Sequence, residues 1–235
     1  ITADHLSAEE WNKAMKDPNS VVVDIRNDYE HKLGHFKGAI MPEVRNFRDT
    51  PDWIRQNRHL FEGKKIMTYC TGGIRCEKFS GFLLKEGFED VVQLDGGIVK
   101  YSKDEKVKGE DFDGKMYVFD ERIGVPVNHV NPTVVARCSH CGVPSERYVN
   151  CRLKRCNEQH FLCVECESAT GVFCSPECKV DYLAEAELKV AADALAVIAN
   201  KAAAEARAEA RLARKIVAQA AGKLASEAAS KKNQQ

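Results

Sequence analysis

Lys65-Ile66-Met67-Thr68-Tyr69-Cys70-Thr71-Gly72-Gly73-Ile74-Arg75 is the stretch on which the fold turns. Its first five residues are compact and apolar enough for a strand. Two glycines follow, and then a run from Arg75 to Glu86 with Phe79, Phe82 and Leu83 at helical spacing and Gly87 as a stop. Strand, glycine turn and helix in succession are the repeating unit of a parallel sheet. Cys70 stands at the carboxyl end of its strand, where open α/β sheets bind their ligands. The glycines let successive N–H groups curl inward as an anion nest, the helix start adds partial positive charge, and Arg75 adds a full one. Each of these favours thiolate over thiol, and only the thiolate is nucleophilic. Cys70 and Arg75 are therefore the candidate catalytic residues, and Thr71, Gly72, Gly73 and Ile74 the candidate substrate-binding loop. Cys76, six residues on, is a candidate resolving thiol for an oxidised Cys70, or else a small buried residue on the first helical turn.

Outward from the loop, the same alternation continues. Ser7-Ala8-Glu9-Glu10 has the spacing of a capping box and predicts a helix from Ala8 to about Lys16. Val21-Val22-Val23-Asp24-Ile25 reads as a strand buried on both faces. Thr50-Pro51-Asp52 starts a second helix that runs to about His59. Val91-Val92-Gln93-Leu94 reads as a third strand, and Gly96-Gly97 introduces a short helix. A late strand at Met116–Phe119 is expected at an edge. The expectation for residues 1–125 is an α/β domain with a parallel sheet and helices on both faces.

Composition narrows the function classes. The 235 residues carry 35 Lys and Arg against 35 Asp and Glu, which rules out a uniformly basic nucleic-acid protein, though not a local basic patch. A charged share of 30% and the lack of any run near ~18 apolar residues argue against a membrane protein. No basic–apolar–small leader opens the sequence, so a cytoplasmic location is expected. The chain opens on Ile1 and not on Met, as expected of a fragment or a processed product.

The loop and its surroundings carry a family resemblance. Cys70 to Arg75 resembles the active-site loop of a rhodanese domain, Cys-x-x-Gly-x-Arg, as do Asp24-Ile25-Arg26, Glu30 and Gly34-His35-Phe36-Lys37-Gly38-Ala39. The resemblance covers about residues 1–105 and implies a persulfide-carrying cysteine at position 70. Related phosphatases have a loop one residue longer than the four residues between Cys70 and Arg75, which argues against phosphate-ester chemistry. A narrower likeness covers about residues 1–178. Cys70 to Lys78, Arg26-Asn27-Asp28-Tyr29-Glu30, Asn46-Phe47-Arg48 and Val118-Phe119-Asp120-Glu121-Arg122 resemble the bacterial tRNA wobble-uridine 5-hydroxylase family. That likeness implies oxygen-dependent hydroxylation at C5 of the first anticodon uridine, with the tRNA anticodon region as partner. The family's N-terminal ferredoxin-like domain has no counterpart in this sequence, so the implied RNA binding belongs to the longer architecture. A sulfurtransferase fed by a small sulfur donor is the alternative, and a non-catalytic binding module is a third reading.

Ten cysteines are present, and eight fall in four pairs: Cys138 and Cys141, Cys151 and Cys156, Cys163 and Cys166, Cys174 and Cys178. Such knuckles supply two thiolates each, so residues 126–180 are expected to hold two structural zinc ions. Sequence leaves open whether the pairs combine sequentially or interleave. His140 and His160 flank a complete ligand set and are expected to stand outside it. No flavin or haem motif and no 2-His-1-carboxylate cluster is evident, so no organic cofactor is expected, and the oxidant is unspecified. Residues 181–235 hold 20 alanines, no proline and one glycine, Gly222. They predict a long helix with a disordered end from Ser226. Leu183, Val190 and Val197 form a short apolar seam on it, and Arg207, Arg211, Arg214 and Lys215 a basic arc.

Overall fold

The computed structural model describes residues 2–232, with side chains to residue 223. It divides into two compact units, residues 1–174 and 175–235. The first is built on a four-stranded, all-parallel sheet. Strand β1 (Asp4–Leu6) pairs with β5 (Val91–Leu94), β5 with β4 (Lys65–Tyr69), and β4 with β2 (Ser20–Asp24). Consecutive residues of a strand point to opposite faces, and both faces are covered. Trp11 of helix α1 (Ala8–Ala14) and Ile98 and Tyr101 of α5 (Gly97–Tyr101) cover Val22, Met67, Tyr69, Val92 and Leu94. On the other face, Ile54 of α3 (Thr50–Gln56) and Phe79 and Leu83 of α4 (Ile74–Lys85) cover Val21, Val23, Ile66 and Val91. The rhodanese-like α/β architecture expected from the sequence is therefore present.

Helix α1 begins at the capping box: Ser7 accepts from the Glu10 amide at 3.3 Å, and Glu10 accepts from the Ser7 amide at 2.9 Å. It ends two residues before the expected Lys16, because Met15 turns back onto Trp11 and Lys13. The late strand starts earlier than its apolar residues suggest. It is β6 (Phe112–Tyr117), and it joins not the parallel sheet but a second, antiparallel one with β3 (Gly34–Phe36) and β7 (Gly124–Pro126).

One buried charge network ties the two sheets together. Arg26 has no exposed side-chain surface, and its guanidinium donates to Asp24 Oδ1 at 2.9 Å, to Asp24 Oδ2 at 2.6 Å and to the Gly34 carbonyl at 2.6 Å. The Tyr69 hydroxyl donates to the same Asp24 Oδ2 at 2.6 Å. Burial is the largest single influence and pushes the Asp24 carboxyl up, but the Arg26 charge together with the hydrogen bonds from Arg26 and Tyr69 outweighs it and holds Asp24 below its ordinary value. Asp24 closes β2, Gly34 opens β3 and Tyr69 closes β4, so a single ion pair fixes three strand ends.

Following the second sheet come a β-hairpin of β8 (Tyr148–Asn150) and β9 (Gln159–Phe161) and a short helix α6 (Val164–Thr170), and the eight paired cysteines lie on and around these elements and at the start of the helix that follows. The second unit is dominated by α7 (Pro176–Lys232), in which every residue from 183 to 223 is exposed, Leu183, Val190 and Val197 included. The end of the tail, where disorder is expected from the sequence, lies outside the residues described with side chains. Among the described residues, no helix is long and apolar enough to cross a membrane.

Phe36 of β3 is fully buried and meets the rings of Trp11, Tyr69, Tyr101 and Phe112 at centroid distances of 4.8 to 5.6 Å. Phe36→Ala should lower the unfolding free energy by about 3–5 kcal/mol, measured as a shift of the urea midpoint. A loss below about 1 kcal/mol would show that the two sheets do not share this core.

Candidate active site

Cys70 follows β4 directly, with 1% of its surface exposed. The chain then turns through Gly72 and Gly73 into α4, and Gly73 adopts φ 86° as the cap of that helix. This left-handed turn points the loop amides at the sulfur: Gly73 N–H donates to Cys70 Sγ at 3.1 Å. The thiol of Cys70 is lowered to about 5. The largest cause is a hydrogen bond from the Cys76 thiol. Burial opposes it, and the Arg75 charge and the amides of Cys76 and Arg75 reinforce it. Cys76 is fully buried, and its own thiol is pushed well above the ordinary value, first by the hydrogen bond it donates to Cys70, then by burial and by the Cys70 charge. Cys76 thus keeps its proton while Cys70 gives its proton up.

The loop carbonyls face the other way. Ile98 N–H donates to the Cys70 carbonyl at 3.1 Å and Val99 N–H to the Thr71 carbonyl at 3.0 Å, so the start of α5 holds the outer side of the loop. Such close approach requires glycine at position 97. It sits at φ 63°, and an added Cβ would lie 2.5 Å from the Cys70 carbonyl oxygen and 2.6 Å from that of Thr71. Neither contact is tolerable for a real carbon atom.

Arg75 does not stand free beside the sulfur. Its Nη1 and Nη2 donate to Glu30 at 2.6 and 2.8 Å, and the Thr71 hydroxyl donates to Glu30 at 3.1 Å. Glu30 has no exposed surface and lies on α2 (Asp28–His31), where it also accepts from the Asn27 amide at 3.1 Å and so completes a capping box. This bidentate pair orients the guanidinium and Thr71 together. The sequence marked Glu30 only as a landmark of the resemblance and gave it no role. Its signal was the Asn27-to-Glu30 capping spacing, which also decides that α2 forms. Ile74, the remaining loop residue, is 81% exposed.

Away from this loop, the cysteines form two groups. Cys138, Cys141, Cys163 and Cys166 converge in one, and Cys151, Cys156, Cys174 and Cys178 in the other, with the sulfurs of each within 4.8 Å of one another. The pairs therefore interleave, first with third and second with fourth. Four thiolates around a tetrahedral zinc at ~2.3 Å would lie about 3.8 Å apart. Cys141 and Cys163 stand at 3.7 Å and Cys156 and Cys174 at 3.5 Å, so both donor sets fit such an ion. His140 and His160 belong to neither group; their rings stack on each other with centroids 6.1 Å apart.

Comparison with known proteins agrees with this geometry. Residues 7–104 match the rhodanese-like domain family, and residues 113–179 match the rhodanase C-terminal family. The body of the chain is a rhodanese-like domain. Some 180 residues of the chain also align with longer relatives. A protein named tRNA uridine(34) hydroxylase from Shouchella clausii (strain KSM-K16) is 60% identical over 180 residues, 77% of this chain and 56% of that protein. Proteins of the same name from Staphylococcus saprophyticus and from Streptococcus pyogenes serotype M12 (strain MGAS2096) are 57% and 54% identical over 178 residues, 76% of this chain and 56% and 54% of theirs. The chain spans about half the length of the curated relatives it matches.

The lowered thiol has a direct readout. A thiolate population that grows from about pH 5 upward makes Cys70 alkylation by iodoacetamide rise with a midpoint near pH 5, far below that of an ordinary cysteine. Arg75→Ala should move the midpoint up, because the charged form loses a neighbouring cation. The rate is followed by mass spectrometry of the peptide that contains Cys70; a midpoint near 8 to 9 would remove the thiolate from the account.

Proposed function

We propose that this chain provides the reactive centre of an enzyme that hydroxylates C5 of uridine at the first anticodon position of tRNA, with Cys70 as its nucleophile. The observation that carries the reading is the 60% identity to a tRNA uridine(34) hydroxylase. A contiguous span of 180 residues in a chain of 235 must include the Cys70 loop, so the likeness extends through the reactive residues themselves.

Chemistry at this position follows from the thiolate. C6 of uracil is electrophilic, because it is conjugated to the C4 carbonyl. Addition of the Cys70 sulfur forms an S–C6 bond and moves the C5–C6 electron pair onto C5 and O4 as an enolate. C5 is then nucleophilic: it attacks the terminal oxygen of a hydroperoxide, the two-electron oxidant derived from dioxygen, and the C5–O bond forms as the O–O bond breaks and the alkoxide or hydroxide leaves. Loss of the C5 proton and departure of Cys70 restore the ring double bond. Loop amides and Arg75 stabilise the sulfur anion at the start and again when it leaves. Glu30 positions Arg75 and Thr71, and Cys76 supplies a thiol hydrogen bond to the anion. The two cysteine groups would each hold one zinc ion. With four thiolates there is no open coordination position, so the metal contributes folding energy and not reactivity. A tRNA substrate supports a cytoplasmic location.

A second reading, a carrier of sulfane sulfur, is favoured by the rhodanese-like match across the same loop. The two are separated by turnover: thiosulfate-dependent persulfide transfer supports the carrier, and 5-hydroxyuridine formation supports the hydroxylase.

In the full-length enzyme, Cys70→Ser should abolish 5-hydroxyuridine at the wobble position, measured by mass spectrometry of tRNA nucleosides, because a hydroxyl stays protonated at neutral pH. Normal levels in that variant would remove the loop from the mechanism. Elemental analysis of protein purified without chelator should give about two zinc per chain, one for each group of four thiolates. Zinc content should be the same in Cys70→Ser, and a folded, metal-free protein would end the structural-zinc assignment.

A further inference from the structure

A cleft of about 740 Å³ opens between α2 and the β8–β9 hairpin, within the size range of roughly 300–1,000 Å³ typical of small-ligand sites. Helix α2 is the partition between this cleft and the reactive loop. Glu30 faces the loop, bound to Arg75 and Thr71, while Asp28, Tyr29 and Lys32 line the cleft. Arg45 and Asn46, also in its wall, are fixed to α2 by the Asp28 amide on the Arg45 carbonyl at 3.3 Å and by the Phe47 amide on Asn27 Oδ1 at 2.9 Å.

We propose that this cleft binds a nucleobase, that of the RNA nucleotide next to the uridine presented at Cys70. The inference rests on the tRNA reading given above and adds to it a second base-binding position.

Two features of the wall select for a base. Asn150 donates to Asn157 Oδ1 at 3.1 Å, and Gln159 donates to Asn150 Oδ1 at 3.5 Å. This relay sets the orientation of three carboxamides and keeps the Asn157 NH2 group and the Gln159 oxygen for a ligand. A donor at one end of this relay and an acceptor at the other, on the same wall of the cleft, can meet the hydrogen-bonding groups of an unpaired base. Beside them, Tyr148 and Phe161 stack on each other at 4.6 Å and 28°, and both line the cleft. Aromatic surface is what single-stranded nucleic acids use for base contact, whatever their sequence.

Charge argues against a bare phosphate as the occupant. Lys32 is paired with Asp28 at 2.7 Å, and Arg45 with Glu158 at 3.0 Å, so the cations of the wall are already matched by carboxylates. What remains for a ligand is neutral, planar and hydrogen-bonding. The Arg45–Glu158 pair also runs from the body to the hairpin connection and ties the two walls together.

The test uses the full-length enzyme and an anticodon stem-loop RNA carrying 5-iodouridine immediately 5′ or 3′ of the target uridine. Irradiation should cross-link the base to Tyr29, Tyr148 or Phe161, read by mass spectrometry of the joined peptides. Asn150→Ala with Gln159→Ala should weaken stem-loop binding about tenfold while the Cys70 alkylation midpoint stays unchanged, which shows that the fold survives. Cross-links confined to the peptide of residues 70–76, with binding unaffected by the double variant, would overturn the cleft assignment and leave the RNA reading standing. Failure of the full-length enzyme to bind or cross-link the RNA at all would overturn the RNA reading, and the cleft assignment with it. Uridine 5′-monophosphate in large excess should not abolish the cross-link; complete suppression would mark a site for free nucleotide and refute the assignment to RNA.

Discussion

Taking a guanidinium out of water costs several kcal/mol unless its donors are met, and Arg26 is wholly out of water. Its position is therefore dictated by the acceptors available, and these are Asp24 and the Gly34 carbonyl. Its Nε and Nη2 find these acceptors only when β2 ends, β3 begins and Tyr69 arrives from β4 with its hydroxyl on the same carboxylate, while Nη1 has no partner among the described residues. A shift of β4 by one residue would reverse the facing of Tyr69 and leave a buried anion short of a donor. The next residue after Tyr69 is Cys70, so the register enforced by a structural ion pair also sets where the sulfur stands.

From that fixed strand end the loop is held on two sides. Helix α5 draws the Cys70 and Thr71 carbonyls outward through its first amides, which is why position 97 has no room for a side chain. On the other side, the buried Glu30 holds Thr71 and Arg75. With its carbonyls and side chains committed, the loop has its amides left to face the sulfur. The low thiol value follows from this division of partners, with the hydrogen bond from a second buried thiol, Cys76, as its largest cause. An anion stabilised by groups already in place needs little rearrangement when it reacts.

The strand at 65–69 and the helix after the loop were legible in the sequence within a residue, because a short apolar run, a glycine turn and a glycine stop are all local signals. The four knuckle pairs were equally legible. What stayed hidden depended on distant partners. β1 and β3 are three residues each, too short for a periodic pattern, and β6 was misplaced because its partner is β3, almost eighty residues earlier. Glu30 was legible only as a landmark of the family resemblance, because its role depends on Arg75, which the fold brings against it from forty-five residues away. The pairing of the cysteine knuckles was invisible for the same reason: spacing shows which cysteines share a turn and not which turns meet.

Interleaving of those knuckles has a consequence for how the chain is made. On a ribosome, Cys138 and Cys141 emerge first, but their partners Cys163 and Cys166 lie 22 residues or more further on. By the time Cys166 is out, Cys151 and Cys156 have been carried through the first group's loop and are still waiting for Cys174 and Cys178. The first four thiolates therefore close around a segment whose own ligands are incomplete. Through that interval the nascent module exposes reactive sulfur in pairs, and the eight thiols are gathered into their two groups only when the first turn of the long alanine-rich helix has been synthesised.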